Sequence, residues 1–187
     1  LFQLTTFGES HGPGLGGVVD GCPAGVPLNE ELIQIELDKR KPGAGVASTK
    51  RKESDRIKLL SGVFEGVTTG TSIGFYVANE DQRSRDYGNV KDIFRPGHAD
   101  YAFQAKFGVR DYRGGGRSSG RETVCRVAGG AIAQEVLKQH GITVRAYTRE
   151  LGGIPAEIKD PGKAGEQPFF SPDPNVIAKW EERVKAV

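Results

Sequence analysis

Hydrophobic and polar positions alternate with two different periods along this chain, and the changes of period mark out its elements. Residues 3–7 and 15–20 have the apolar, β-branched character of strands. They flank Gly8-Glu9-Ser10-His11-Gly12-Pro13-Gly14, whose glycines and proline demand a loop. A helix begins at Asn29, a side chain suited to the N-cap, with Glu30 and Glu31 in its first turn and Leu32, Ile33 and Leu37 at helical spacing. It is expected to stop before Pro42, with Lys39, Arg40 and Lys41 facing the negative end of the helix dipole. Residues 57–64 and 71–78 predict a β-hairpin joined through Gly66-Val67-Thr68-Thr69-Gly70. The polar stretch 79–97 exceeds an ordinary connection and is therefore a functional candidate. A short helix is expected over 99–106, closed by Gly108. Ser119 and Glu122 have capping-box spacing, and Val124, Val127, Ala128, Ala131, Ile132 and Val136 carry the next helix toward His140, with Gly141 as its C-cap. A strand over 142–148, a proline-rich connection and an amphipathic helix over 176–184 follow, and no internal repeat is present.

Composition narrows the class. The chain has 187 residues, 36% of them hydrophobic, which suits one globular domain over 1–187. Its 27 glycines and 10 prolines stay below the share of about 25–30% that marks low-complexity disorder. No apolar run approaches the ~18–20 residues of a membrane-spanning helix and no signal-peptide pattern opens the sequence, so a soluble protein is expected. There is no methionine and the sequence opens on Leu1-Phe2-Gln3, which reads as a truncated chain. Cys22 and Cys125 have neither metal-ligand spacing nor the density of a disulfide scaffold, and Cys125 falls in an apolar helical pattern that suits an inert buried thiol.

Net charge is only +2, but it is segregated. Residues 39–58 carry eight Lys/Arg against two acids and residues 95–126 carry seven against three, a joint excess of ten positive charges, which leaves −8 on the rest of the chain. Such segments suit a small, deeply held polyanion, and at this level a nucleic-acid footprint or a solvated face has the same appearance. The sharpest local feature is Gly114-Gly115-Gly116, which leads into a helix N-terminus decorated by Arg117 and Arg121. Free backbone N–H groups, the helix dipole and guanidinium groups converge there, as anion binding requires.

Other motifs carry less. Gly12-Pro13-Gly14-Leu15-Gly16-Gly17 formally satisfies G-x-G-x-x-G, but a strand follows where a dinucleotide site needs a helix. No Walker A sequence is present, and Tyr112-Arg113-Gly114-Gly115-Gly116-Arg117 is a single RGG-like copy between two helices. Two of the three histidines, His11 and His98, lie in glycine-bracketed loops and are candidate general acids, whereas His140 reads as a helix-end partner. A Ser10–His11 nucleophilic pair is disfavoured because adjacent residues seldom turn their side chains toward each other. Histidines, cysteines and acids show no metal-ligand spacing, so no metal is expected.

Phe7-Gly8-Glu9-Ser10-His11-Gly12, residues 62–71 (GVFEGVTTGT), Arg95-Pro96-Gly97-His98-Ala99-Asp100 and residues 113–123 (RGGGRSSGRET) together resemble the chorismate synthase family, in order and in register. The resemblance runs over essentially the whole chain and matches the N-terminal half of that enzyme. It implies an α+β fold, a β-α-β sandwich with helices between antiparallel sheets. It also implies a homotetramer, in the cytoplasm or in the plastid of a plant-like source. The implied activity is anti-1,4-elimination of phosphate from 5-enolpyruvylshikimate 3-phosphate to give chorismate, the last step of the shikimate pathway toward aromatic amino acids. That lyase reaction needs reduced FMN without net redox change, with NADPH as a source of reductant. No nucleic acid and no membrane partner is expected.

Residue by residue, the resemblance makes His11 the proton donor to the leaving phosphate and His98 the partner of the reduced flavin. Arg40, Arg95, Ser119 and Arg121 match substrate-binding positions, and Arg117, Ser118 and Ser119 match the flavin-contacting turn. One departure stands out: Val46 occupies a loop position where many relatives have arginine, with Lys50 and Arg51 the nearby cations. The family's later segments, which supply much of the flavin pocket and a carboxylate near the flavin, have no counterpart in these 187 residues, so this stretch alone is expected to be inactive.

Overall fold

The structure, a computed structural model, describes residues 1–40, 54–80 and 91–187. These residues fall into two compact units, one built from 1–40, 54–80 and 91–141 and the other from 142–187. The loop containing Val46, Lys50 and Arg51 lies outside the described residues.

The first unit is organised on a four-stranded antiparallel sheet. Its strands are β1 (Gln3–Gly8), β2 (Gly14–Asp20), β3 (Ile57–Leu59) and β6 (Ile73–Ala78), in the order β1-β2-β6-β3. In register, Phe7 faces Gly16, Leu15 faces Val77, and Val77 also faces Ile57. Helices α1 (Glu30–Arg40) and α3 (Thr123–Lys138) pack on each other, and α3 also meets β1 and β2. The core lies between these layers. Leu15, Val19, Ile73, Phe75 and Val77 come from the sheet, Ile33 and Leu37 from α1, and Val124, Ala128 and Ile132 from α3. Each such large side chain contributes about 1.5–3 kcal/mol of transfer free energy.

The glycines of the formal dinucleotide pattern serve this packing. A Cβ at Gly14 would meet the Tyr76 ring and its hydroxyl, one at Gly16 would meet the Phe7 ring, and one at Gly17 would lie 2.6 Å from Phe75 Cζ. β2 is glycine-rich because aromatic side chains of β1 and β6 fill the space its own side chains would take.

Most local expectations hold. Asn29 Oδ1 accepts from Leu32 N at 2.9 Å and caps α1, and α2 (Asp100–Phe107) ends at Gly108 with φ 74°. Three do not. The 57–64/71–78 hairpin is interrupted: β3 pairs with β6 but stops at Leu59, and β4 (Val63–Phe64) and β5 (Val67–Thr68) form a small hairpin of their own. This hairpin turns at Glu65-Gly66, ahead of the expected connection, and its Thr68 exchanges backbone bonds with Gly25 and Val26. The break falls at Gly62, where a Cβ would lie 2.6 Å from Ile73 Cγ1.

The capping box is replaced by a 3-10 turn, Gly120–Glu122. Ser119 Oγ accepts from Arg121 N, and the Glu122 carboxylate turns to Arg117 instead of reaching back to its cap. The 142–148 segment forms no ladder; Ile142 and Val144 are exposed. β-Branched residues become a strand only where a partner edge accepts their backbone in series; here Thr148 N donates to Phe170 O at 3.0 Å and no ladder follows among the described residues.

In the second unit, β7 (Glu150–Leu151) and β8 (Ile154–Pro155) form a minimal hairpin, and α4 (Ile177–Lys185) buries Trp180. The indole Nε1 donates to Ile154 O at 2.8 Å and the ring meets Phe169 edge to face. Asp173 accepts from Asn175 N ahead of α4 and pairs with Lys159.

Candidate anion-binding site

The first unit gathers the chemistry at the end of the sheet where β1 turns into β2. Glu9 O accepts from Gly12 N at 3.0 Å, closing a tight turn that curls Ser10 and His11 inward, to 1% and 5% exposure. Contrary to the expectation for adjacent residues, Ser10 Oγ lies 3.1 Å from His11 Nδ1. The turn bends both side chains to one side, which a strand or a helix would not do. The hydroxyl engages Nδ1 and fixes the orientation of the ring.

The imidazole rests against the Gly114 backbone, where a Cβ would collide with His11 Cε1. Gly114, Gly115 and Gly116 all have positive φ, 60°, 87° and 52°. Gly116 N donates to Arg113 O at 3.3 Å, so part of the turn's backbone is bonded within the chain. Ser118 Oγ donates to Gly115 O at 2.7 Å and closes the turn, and a Cβ at Gly115 would come within 3.3 Å of Ser118 Oγ and 3.9 Å of an Arg95 guanidinium nitrogen. The triple glycine thus leaves room beside a serine hydroxyl and an arginine.

The arginines are organised by carboxylates that the sequence did not single out. Asp55, fully buried, pairs with Arg40 at 2.6 Å and with Arg121. Arg40 Nε also donates to Thr123 Oγ1 at 3.0 Å, and Arg121 Nε to Asn79 Oδ1 at 2.9 Å. Asp100 takes a two-pronged pair from Arg95, at 2.9 and 3.0 Å, with Arg110 3.6 Å away. The Arg95 hydrogen bonds hold the Asp100 carboxyl down to about 2 despite its burial. Glu122 receives Arg117 at 2.8 and 3.0 Å and Arg126 at 3.3 Å.

Each of these carboxylates joins two guanidinium groups, which fixes the cations before any ligand arrives. Arg117 is the most internally committed: it also donates to Gly8 O, Thr6 O and Thr6 Oγ1, so it ties the glycine turn to β1. The signal for these acids was weak but present, an Asp or Glu inside an otherwise basic run.

His98 differs from His11. It is exposed, and its Nδ1 lies 3.1 Å from Pro96 O within its own loop. Ser119 is half-buried with Oγ accepting from Arg121 N, and Ser118 is exposed. Glu9 and Asn79 are the functional candidates that the sequence reading missed. Glu9 lines an open cavity of about 810 Å³ with Phe103, Phe107, Tyr112, Gly116 and Arg117. Its Oε2 is buried without a hydrogen-bond partner among the described residues, and burial, opposed chiefly by the Arg117 charge, pushes its carboxyl above the usual range. Cys125 donates to Gly16 O inside the core, and burial pushes its thiol up to about 12, in keeping with an inert group. No metal-ligand cluster occurs among the described residues.

Fold and site together define an α+β protein with preorganised arginines around an enclosed loop histidine, a class suited to holding a small polyanion for acid–base chemistry. The family model for chorismate synthase matches residues 2–187, and the chain belongs to the chorismate synthase family. It is 68% identical to the chorismate synthase of Maridesulfovibrio salexigens and 66% identical to that of Nitratidesulfovibrio vulgaris Hildenborough, over all of this chain and 53% of each relative. A crystal structure of a chorismate synthase superposes with a TM-score of 0.77 at 29% identity, covering 100% of this chain and 52% of that one. The chain therefore spans about half the length of the relatives it matches.

Proposed function

We propose that this chain carries the proton-donating and anion-binding half of a chorismate synthase site, acting on 5-enolpyruvylshikimate 3-phosphate. The observation that carries the reading is His11: it is 5% exposed, oriented through Nδ1 by Ser10, and seated against the glycine turn that precedes Arg117. In the proposed elimination the C3–O bond breaks with its electron pair leaving on phosphate, the C6–H electrons enter the ring so that C1=C6 and C2=C3 replace C1=C2, and the C6 proton would pass to a basic group of the complete site. His11 supplies a proton to the departing phosphate oxygen, which lowers the charge that must develop on it. Arg40 and Arg121, locked together by Asp55, and Arg95, locked by Asp100, meet the substrate's phosphate and two carboxylates as fixed cations. Fixed charges stabilise a leaving anion without reorganising at the moment of reaction. Carboxylate-bridged pairs favour such a small, held anion over an extended nucleic acid.

The residues present fit the reduced FMN that this family implies. The Gly114–Gly116 turn with Ser118 and Ser119 suits a phosphate-bearing cofactor, and His98, with Nδ1 turned to Pro96 O, directs Nε2 outward for contact with a flavin edge. When bound, reduced FMN supplies transient electron donation that eases departure of the allylic phosphate. Arg117 contributes by holding the turn, since its guanidinium is spent on Glu122, Thr6 and Gly8. NADPH as reductant source, a homotetramer and a cytoplasmic location belong to the same reading. None of the described helices is long and apolar enough to cross a membrane.

The test is His11→Ala in the full-length protein. Turnover of 5-enolpyruvylshikimate 3-phosphate is expected to fall by at least ~10²-fold with the fold retained. Unchanged turnover would remove His11 as the acid.

A further inference from the structure

The β1–β2 loop owes its shape to one side chain outside it. Asn79, immediately after β6, points its Nδ2 at three carbonyl oxygens of the loop: Gly12 O at 2.8 Å, Glu9 O at 3.0 Å and Ser10 O at 3.3 Å. Its backbone N donates to Pro13 O at 3.1 Å, so carbonyls on both sides of His11 are referred to this residue. The opposite end of the same amide, Oδ1, accepts from Arg121 Nε at 2.9 Å, and Arg121 continues through Asp55 to Arg40. A positive charge on the amide oxygen draws electron density from the nitrogen and strengthens its N–H donors, so the two ends reinforce each other.

We propose that Asn79 is a positioning residue that sets His11 and Arg121 in a single frame, so that proton donor and anion-binding cation approach one ligand in fixed relation. The proposal rests on the reading of His11 and Arg121 given above. Among side chains of this length only the amide does this work. An amide presents donors at one end and an acceptor at the other, whereas Asp would place a carboxylate oxygen against three carbonyls while still accepting from Arg121. Ala would lose both ends.

That asymmetry supplies the experiment. In the full-length protein, Asn79→Asp keeps the Arg121 contact and loses the loop contacts. Its kcat is expected to fall about 10²-fold, the cost of misplacing a catalytic group by about 1 Å. KM is expected to change by less than about threefold, as when binding is spared. In a His11→Ala background the same substitution is expected to cost little more, because it acts through His11. Equal loss in both backgrounds, or unchanged kcat in the wild-type background, overturns the proposal. If His11→Ala itself leaves turnover intact, it is the His11 reading that fails.

Should Asn79→Asp not fold, hydrogen exchange of the Asn79 side-chain amide in the unmodified protein decides. Protection of at least about 10²-fold over a free amide is expected for a clamped group, and exchange at the free rate overturns the proposal.

Discussion

His11 and His98 are nearly indistinguishable as sequence, each a lone histidine in a short loop bracketed by glycines, yet the fold treats them in opposite ways. His11 is enclosed, contacted by Ser10, backed by Gly114 and carried on a loop whose carbonyls are gathered by Asn79. His98 stands exposed and is oriented by Pro96 O, two residues away. The rigid part of its loop is the base, where Arg95 N, Nε and Nη2 all reach the buried Asp100. The contrast separates two ways of presenting an imidazole. One is enclosed and held by contacts from its neighbours; the other is exposed on a loop tethered at its base.

That contrast can be broken most severely at Gly114. A Cβ there collides with the His11 ring, and φ of 60° is strained for any L side chain. Overpacking and left-handed strain together predict a loss of about 3 kcal/mol for Gly114→Ala, readable as a lowered denaturant midpoint. A destabilisation below ~0.5 kcal/mol would show that the His11 seat is loose.

The next effect concerns the base of the His98 loop. Asp100 has its carboxyl pulled from 3.8 to about 2, chiefly by Arg95, so its contribution to stability is complete above pH ~4 and is lost as pH falls toward 2. A shift of this size corresponds to about 2 kcal/mol. Acid unfolding of wild type should therefore steepen in that window, whereas Asp100→Asn should show a flatter acid limb from a lower starting stability. An unchanged limb would mean that the Arg95 pair does not anchor the loop.

The smallest effect is expected at the tip. His98→Gln should alter thermal stability by less than ~0.5 kcal/mol, as exposed substitutions do. A larger loss would contradict the outward presentation of that imidazole.

How much was readable beforehand follows the range of the interactions. Asn29 as the α1 cap and Gly108 as the end of α2 were legible because cap and helix are neighbours in sequence. Residues 142–148 carry the right side chains for a strand and form none, because a strand needs a second edge and propensity says nothing about one. At Gly62, between β3 and β4, the chain runs so close to Ile73 that no side chain would fit, a crowding that comes from the far side of the hairpin. In the site, the cations stood out as basic runs, but their partners did not. Arg121 meets Asp55 66 positions away, and Asn79 reaches Gly12 across 67. Glu122 looked like half of a capping box because spacing alone cannot reveal that Arg117 competes for its carboxylate.

The sequence by itself therefore determined the α1 cap, the end of α2, the glycine turn and, through motif order, the family whose resemblance implied the α+β class, since these depend on local sterics, capping and motif spacing. Only the tertiary structure decided which histidine is enclosed, which carboxylate bridges which pair of arginines, and that Asn79 joins the two. Burial and charge pairing are properties of what meets across the fold, and those meetings are set by the packing of β6, α1 and α3 around one core.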